Sequence, residues 1–80
     1  MNVGQAVRIR IAQLCQENRI TINKLANISG ITQSTLNNIM SGRNYSTTVS
    51  TVQKICDGLE ITLLDFFNSP IFSSLEQEIK

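Results

Sequence analysis

Histidine is absent from this chain, and with it go the commonest general base and any zinc site of mixed cysteine and histidine ligands. The two cysteines cannot supply four thiolates, and no glycine-rich phosphate loop or paired-carboxylate pocket stands out, so neither an enzyme nor a cofactor is expected. Cys15 and Cys56 each fall in the apolar stripe of an expected helix and read as small buried hydrophobes in preference to a disulfide or redox pair. No stretch reaches the roughly 18 apolar residues of a membrane span. The opening MNVGQAVRIR lacks the apolar core of a secretory signal, so a soluble, cytoplasmic protein is expected.

Eighty residues suffice for one small domain with one modest core. The net charge is only +1, but it is unevenly spread. Residues 1–49 hold five cations against one carboxylate, or +4; residues 50–80 hold two against five, or −3. A basic N-terminal half facing phosphates and an acidic C-terminal half facing water or a partner would account for this split.

The 22 residues from Thr21 to Gly42, TINKLANISGITQSTLNNIMSG, are the most informative. Thr21 can cap a helix whose inward positions are Ile22, Leu25 and Ala26, and Gly30 can close it by adopting positive φ. Thr32 can then cap a second helix running through Gln33, Leu36, Ile39 and Met40 to a stop at Gly42. At roughly 100° per residue, with Gln33 at zero, Asn37 falls near 40°, Ser41 near 80°, Ser34 near 100° and Asn38 near 140°. Leu36, Ile39 and Met40 fall on the opposite side. An outward face of amides and hydroxyls without charge is unlike a merely solvated one, which usually carries Glu, Lys and Arg. Amides pair in bidentate fashion with adenine and hydroxyls suit several base edges, so this face reads as a major-groove reader.

The remaining pattern is helical too. Val3, Val7, Ile11, Leu14 and Cys15 space a first helix over Val3 to Asn18, with Arg8 and Arg10 outward, toward a DNA backbone or toward solvent. RNYSTT, after Gly42, has donors and no carboxylate, which suits a loop along a phosphate strand as well as an ordinary connection. Thr48 can cap a fourth helix from Val49 to Asp57, ending at Gly58, and Thr62 with Asp65 a fifth that carries Leu63, Leu64, Phe66 and Phe67. In the tail, Ser69-Pro70 is a helix start, and Ile71, Phe72, Leu75 and Ile79 recur along one side. That stripe packs on its own domain or on a second copy. The expected architecture is all-α: a compact five-helix DNA-binding domain over 1–68, with the helix-turn-helix pair at 21–42, and a short amphipathic helical tail over 69–80.

From Gln5 to Phe67 the order and spacing resemble the phage repressor and Cro-like, or Xre, family of helix-turn-helix regulators. The residues that carry the resemblance are Leu25-Ala26, Gly30 to Leu36, Ile39 with Ser41-Gly42-Arg43, and KICDGLEITLLDFF from Lys54 to Phe67. It implies a repressor-like five-helix fold and a dimer that reads two-fold-related half-sites in double-stranded DNA. Gln33, Ser34, Asn37 and Asn38 fall at base-reading positions, and Thr21, Asn23, Lys24, Thr32, Arg43, Asn44 and Ser46 along the DNA backbone. Phe67, Ile71, Phe72, Leu75 and Ile79 are the candidates for dimerisation.

The chain departs from the family at three points. Ile22 replaces a frequent glutamine, so Asn23 and Lys24 take over that phosphate contact; Cys15 and Met40 replace a buried Arg/Glu pair, an exchange that can be neutral; and Thr47 replaces a frequent proline. The expected function is sequence-specific transcriptional regulation, with no small-molecule substrate and no membrane partner. The alternative is an antitoxin-like or accessory interaction module for which DNA binding is secondary.

Overall fold

Asn2 opens the first helix. In the computed structural model, which describes residues 1–42 and 47–79, its side chain accepts from the Gln5 N–H at 2.9 Å and the Gln5 side chain accepts from the Asn2 N–H at 2.9 Å. This reciprocal cap starts α1 (Val3–Asn18), followed by α2 (Ile22–Ser29), α3 (Gln33–Met40), α4 (Val49–Leu59) and α5 (Leu63–Phe67). The five expected helices are all present. Among the described residues there is no strand, and no helix is long and apolar enough to cross a membrane.

Three junctions are built to one pattern. α1, α2 and α4 end on Arg19, Gly30 and Glu60, each in the left-handed region with φ of 55°, 68° and 59°. The isoleucine that follows in each case, Ile20, Ile31 or Ile61, donates its N–H at 3.0 Å to the carbonyl five residues back, on Cys15, Ala26 or Cys56. Each isoleucine is half-buried against the core. A threonine comes next, Thr21, Thr32 or Thr62, and caps the following helix by accepting from Lys24, Thr35 or Asp65 N–H at 3.0 to 3.1 Å. One run of three residues thus stops a helix, anchors the turn and starts another.

The core is a single cluster in which Ile11, Leu25, Leu36, Ile55, Cys56 and Phe66 are fully buried. α2 packs chiefly on α4, and Gly58 is where they come closest. A Cβ there would lie 2.6 Å from Ser29 Oγ and 2.9 Å from the Ile28 carbonyl oxygen. This corrects the reading of Gly58 as a stop: the helix continues through it to Leu59, and Gly58 serves close approach, not termination.

Arg10 is not outward. Its guanidinium donates from Nε to the Phe66 carbonyl at 2.6 Å and from Nη2 to the Asp65 carbonyl at 2.9 Å, satisfying the end of α5. The tail also differs from expectation. Its helical part shrinks to one 3₁₀ turn, Pro70–Ser73, because Ser69 makes no side-chain cap and the segment finds one anchor, not a stripe. Phe72 is that anchor, with its ring 5.0 Å from Phe67 and 6.3 Å from Phe66. Beyond it the chain doubles back to α1, where the Glu76 N–H donates to the Met1 carbonyl at 3.0 Å, and Ile79 is left 87% exposed.

Candidate nucleic-acid interface

α3 is short, and its two sides differ sharply. Leu36 and Ile39 are buried and Met40 is half-buried against the core, which fixes the rotation of the helix about its axis. Gln33, Ser34 and Asn37 are consequently exposed, and Asn38, at the margin of the same face, is half-buried. Among the described residues none of these four side chains takes part in a hydrogen bond, so their donors and acceptors are open to a ligand. Ser41 is exposed as well, but its hydroxyl turns back to donate to the Asn38 carbonyl at 3.1 Å.

The N-termini of α2 and α3 lie at Thr21 and Thr32. Both are exposed, and both hydroxyls accept the cap bonds described above. The Thr32 hydroxyl also donates to Thr35 Oγ1 at 2.8 Å. Asn23 and Lys24 are exposed in the first turn of α2. No carboxylate occupies the first turn of α2, α3 or α4, so the positive ends of these helix dipoles are not already neutralised. From Asn18 to Cys56 the sequence has no Asp or Glu at all, so no carboxylate of this segment opposes an anion at these helix ends. Arg43, Asn44 and Ser46, also candidates for the DNA backbone, lie outside the described residues.

Support for α3 comes from behind. Cys15 is buried on α1 and Met40 packs against the core behind α3, so the two positions where the resemblance puts a buried Arg/Glu pair are here apolar packing groups. Burial pushes the Cys15 thiol above its ordinary pKa; at Cys56 burial acts first, reinforced by the charges of Asp57 and Asp65. Both thiols are therefore neutral packing groups near pH 7.

The dimerisation candidates divide. Phe72 is committed to the core and Ile71 and Leu75 are half-buried, whereas Phe67 and Ile79 are exposed. Leu64, which sequence reasoning counted only as apolar bulk of α5, is 84% exposed.

The Cro/C1-type helix-turn-helix DNA-binding domain profile matches residues 10–69 of the chain. Among solved structures, the chain is similar to prophage Lp1 protein 11, known from a crystal structure. The two are 33% identical, with a TM-score of 0.81, over 94% of this chain and 100% of the other. No curated protein matches the chain.

Proposed function

The chain belongs to the Cro/C1-type helix-turn-helix DNA-binding domain family, and from that premise we propose that it is a sequence-specific transcriptional regulator whose α3 reads major-groove half-sites, two copies to an operator. The observation that carries this reading is the α3 face itself. Gln33, Ser34 and Asn37 are presented by a helix locked from behind by Leu36 and Ile39, and their polar atoms are not engaged by other described residues. Fixed amides and hydroxyls on an inserted helix discriminate bases, whereas flexible charges chiefly hold phosphates. Gln33, Ser34, Asn37 and Asn38 are the base-reading set. Thr21, Asn23, Lys24, Thr32, Arg43, Asn44 and Ser46 serve the DNA backbone.

The dimer is assigned to the acidic half. Leu64, Phe67 and Ile79 supply exposed apolar surface there, away from α3 in sequence, with Ile71 and Leu75 beside them. Phe72 supports that surface from the core side.

Selection of bound duplexes from a random-sequence pool tests the reading directly. The expected product is a two-fold-symmetric motif with half-sites about one helical turn apart. Gln33→Ala should then reduce discrimination between the selected and scrambled duplexes by about 1–3 kcal/mol per lost base contact. Equal loss on both duplexes would remove Gln33 from the base-reading set. Absence of any enriched motif would overturn sequence-specific recognition.

A further inference from the structure

Periodicity sets Arg8 outward on α1, and the structure shows it half-buried. It lies two turns before Cys15, on the flank of α1 that faces the end of the reading helix. Its guanidinium lies beside Gly42, just past α3, so that a Cβ built on Gly42 would fall 3.3 Å from Arg8 Nη1 and 3.6 Å from Cζ. Gly42 itself holds φ at +82°, a conformation that favours glycine, and the absence of a side chain there lets the guanidinium lie against it without crowding.

No carboxylate neutralises this cation. Every Asp and Glu side chain of the sequence lies among the described residues, and the only ion pair found among those residues joins the Met1 ammonium to Glu76. The last turn of α3 has no basic residue of its own, and the segment from Asn18 to Cys56 has no acidic one. The arginine is half-buried and its guanidinium lies against Gly42, so its head has restricted freedom. A guanidinium held in place at the end of a groove-reading helix, unpaired by carboxylate, has the geometry to grip a phosphate.

We propose that Arg8 is a DNA-backbone contact contributed by α1, gripping a phosphate at the C-terminal end of α3. This rests on the groove-reading assignment of α3 and deepens it. Arg8 and the N-terminus of α3 would then hold the backbone at opposite ends of the reading helix, with Gly42 as the notch through which the arginine reaches. The two neighbouring arginines of α1 thus part company: Arg10 is engaged by the α5 carbonyls, and Arg8 is directed to DNA.

The test uses the full chain, the duplex enriched from a random-sequence pool, and a scrambled duplex of the same length. Affinity is measured for wild type, Arg8→Gln and Arg8→Lys across a salt series, with thermal unfolding of each. For Arg8→Gln the expected result is an equal fold-loss of affinity on both duplexes, with the log–log salt slope shallower by about 0.9 for each subunit bound. Arg8→Lys should keep the slope, and all three proteins should melt alike. An unchanged slope with reduced discrimination would make Arg8 a brace for α3, and an unchanged slope with a lowered Tm would make it part of the fold; either overturns the proposal. If wild type itself fails to prefer the selected duplex, the groove-reading assignment falls, and the proposal with it. Normal wild-type binding with an unaltered Arg8→Gln removes the arginine contact alone.

Discussion

At Gly58 one hydrogen atom decides how closely α2 and α4 pack. Gly58→Ala would drive a methyl group to 2.6 Å from Ser29 Oγ and 2.9 Å from the Ile28 carbonyl, and the carbonyl cannot rotate away as a side chain would. A loss of about 1–3 kcal/mol is expected from this overpacking, read as a shift in the urea midpoint. Ser29→Ala alone should stabilise slightly, because the Ser29 hydroxyl is buried without a hydrogen-bond partner among the described residues. In the double variant it should recover only part of the Gly58→Ala loss, since the carbonyl clash persists; a complete recovery would place the whole conflict on the hydroxyl. Glu60 offers the opposite case. It holds φ at 59° with a side chain that disfavours it, so Glu60→Gly should raise stability by about 0.5–1 kcal/mol in the same assay. Asp65 sets a pH dependence. The Thr62 N–H, and after it the Thr62 hydroxyl, hold its carboxyl below the ordinary 3.8. A carboxyl with a lowered folded pKa stabilises the fold above its unfolded pKa and ceases to do so as pH falls through the folded value. Between about pH 5 and pH 3, wild type should therefore lose stability more steeply than Asp65→Asn.

At the scale of the helix, the N-terminal ends were more legible than the C-terminal ones. Thr21, Thr32, Thr48 and Thr62 each begin a helix where the sequence places it, because a short hydroxyl side chain before an apolar period has few other uses. Gly30 marks an end correctly since only its positive φ is required; nothing lies near enough to obstruct a Cβ there. Gly58 misleads for the complementary reason: its φ is ordinary and its small size is what matters, which no local pattern reveals. The better signal was the Ile-Thr step that follows Arg19, Gly30 and Glu60 alike. Three occurrences of the same dipeptide mark three identical junctions, including the one whose left-handed residue is a glutamate. The exposed polar face of α3 was visible because its apolar and polar positions separate cleanly, whereas Arg8 and Arg10 depend on contacts over long sequence distances. Arg10 reaches 55 and 56 residues forward, to α5. Arg10→Gln should thus lower stability by about 1–2 kcal/mol, toward the lower range for hydrogen bonds from a charged donor, because one of the two lies at the surface. It should leave the slope of DNA affinity against salt unchanged, the reverse of the outcome expected for Arg8→Gln.

At the scale of the whole molecule, the charge split sets limits on how two copies can meet. The basic half carries +4 and includes α3, so two copies joined there would repel each other and compete with DNA for the same surface. The other half carries −3, a smaller repulsion, and it holds Leu64 at 84% and Ile79 at 87% exposure. Apolar association through these residues would keep both reading helices free, and phosphate neutralisation of the basic halves would favour the paired state on DNA. Dimerisation in that arrangement would be weak in solution and strengthened by an operator, since the second copy would bind at a high effective concentration. The variant that separates the two requirements is Leu64→Asp. A side chain so exposed contributes little to the fold of one copy, so thermal unfolding of a dilute sample should not change. Affinity for a duplex with one half-site should also be unchanged. Affinity for a duplex with both half-sites should fall by roughly tenfold or more, because burying one leucine stabilises an interface by about 1.5–3 kcal/mol and each copy loses one. Equal binding of wild type and Leu64→Asp to the two-site duplex would exclude Leu64 from the interface and leave Phe67 and Ile79 to be tested in the same way.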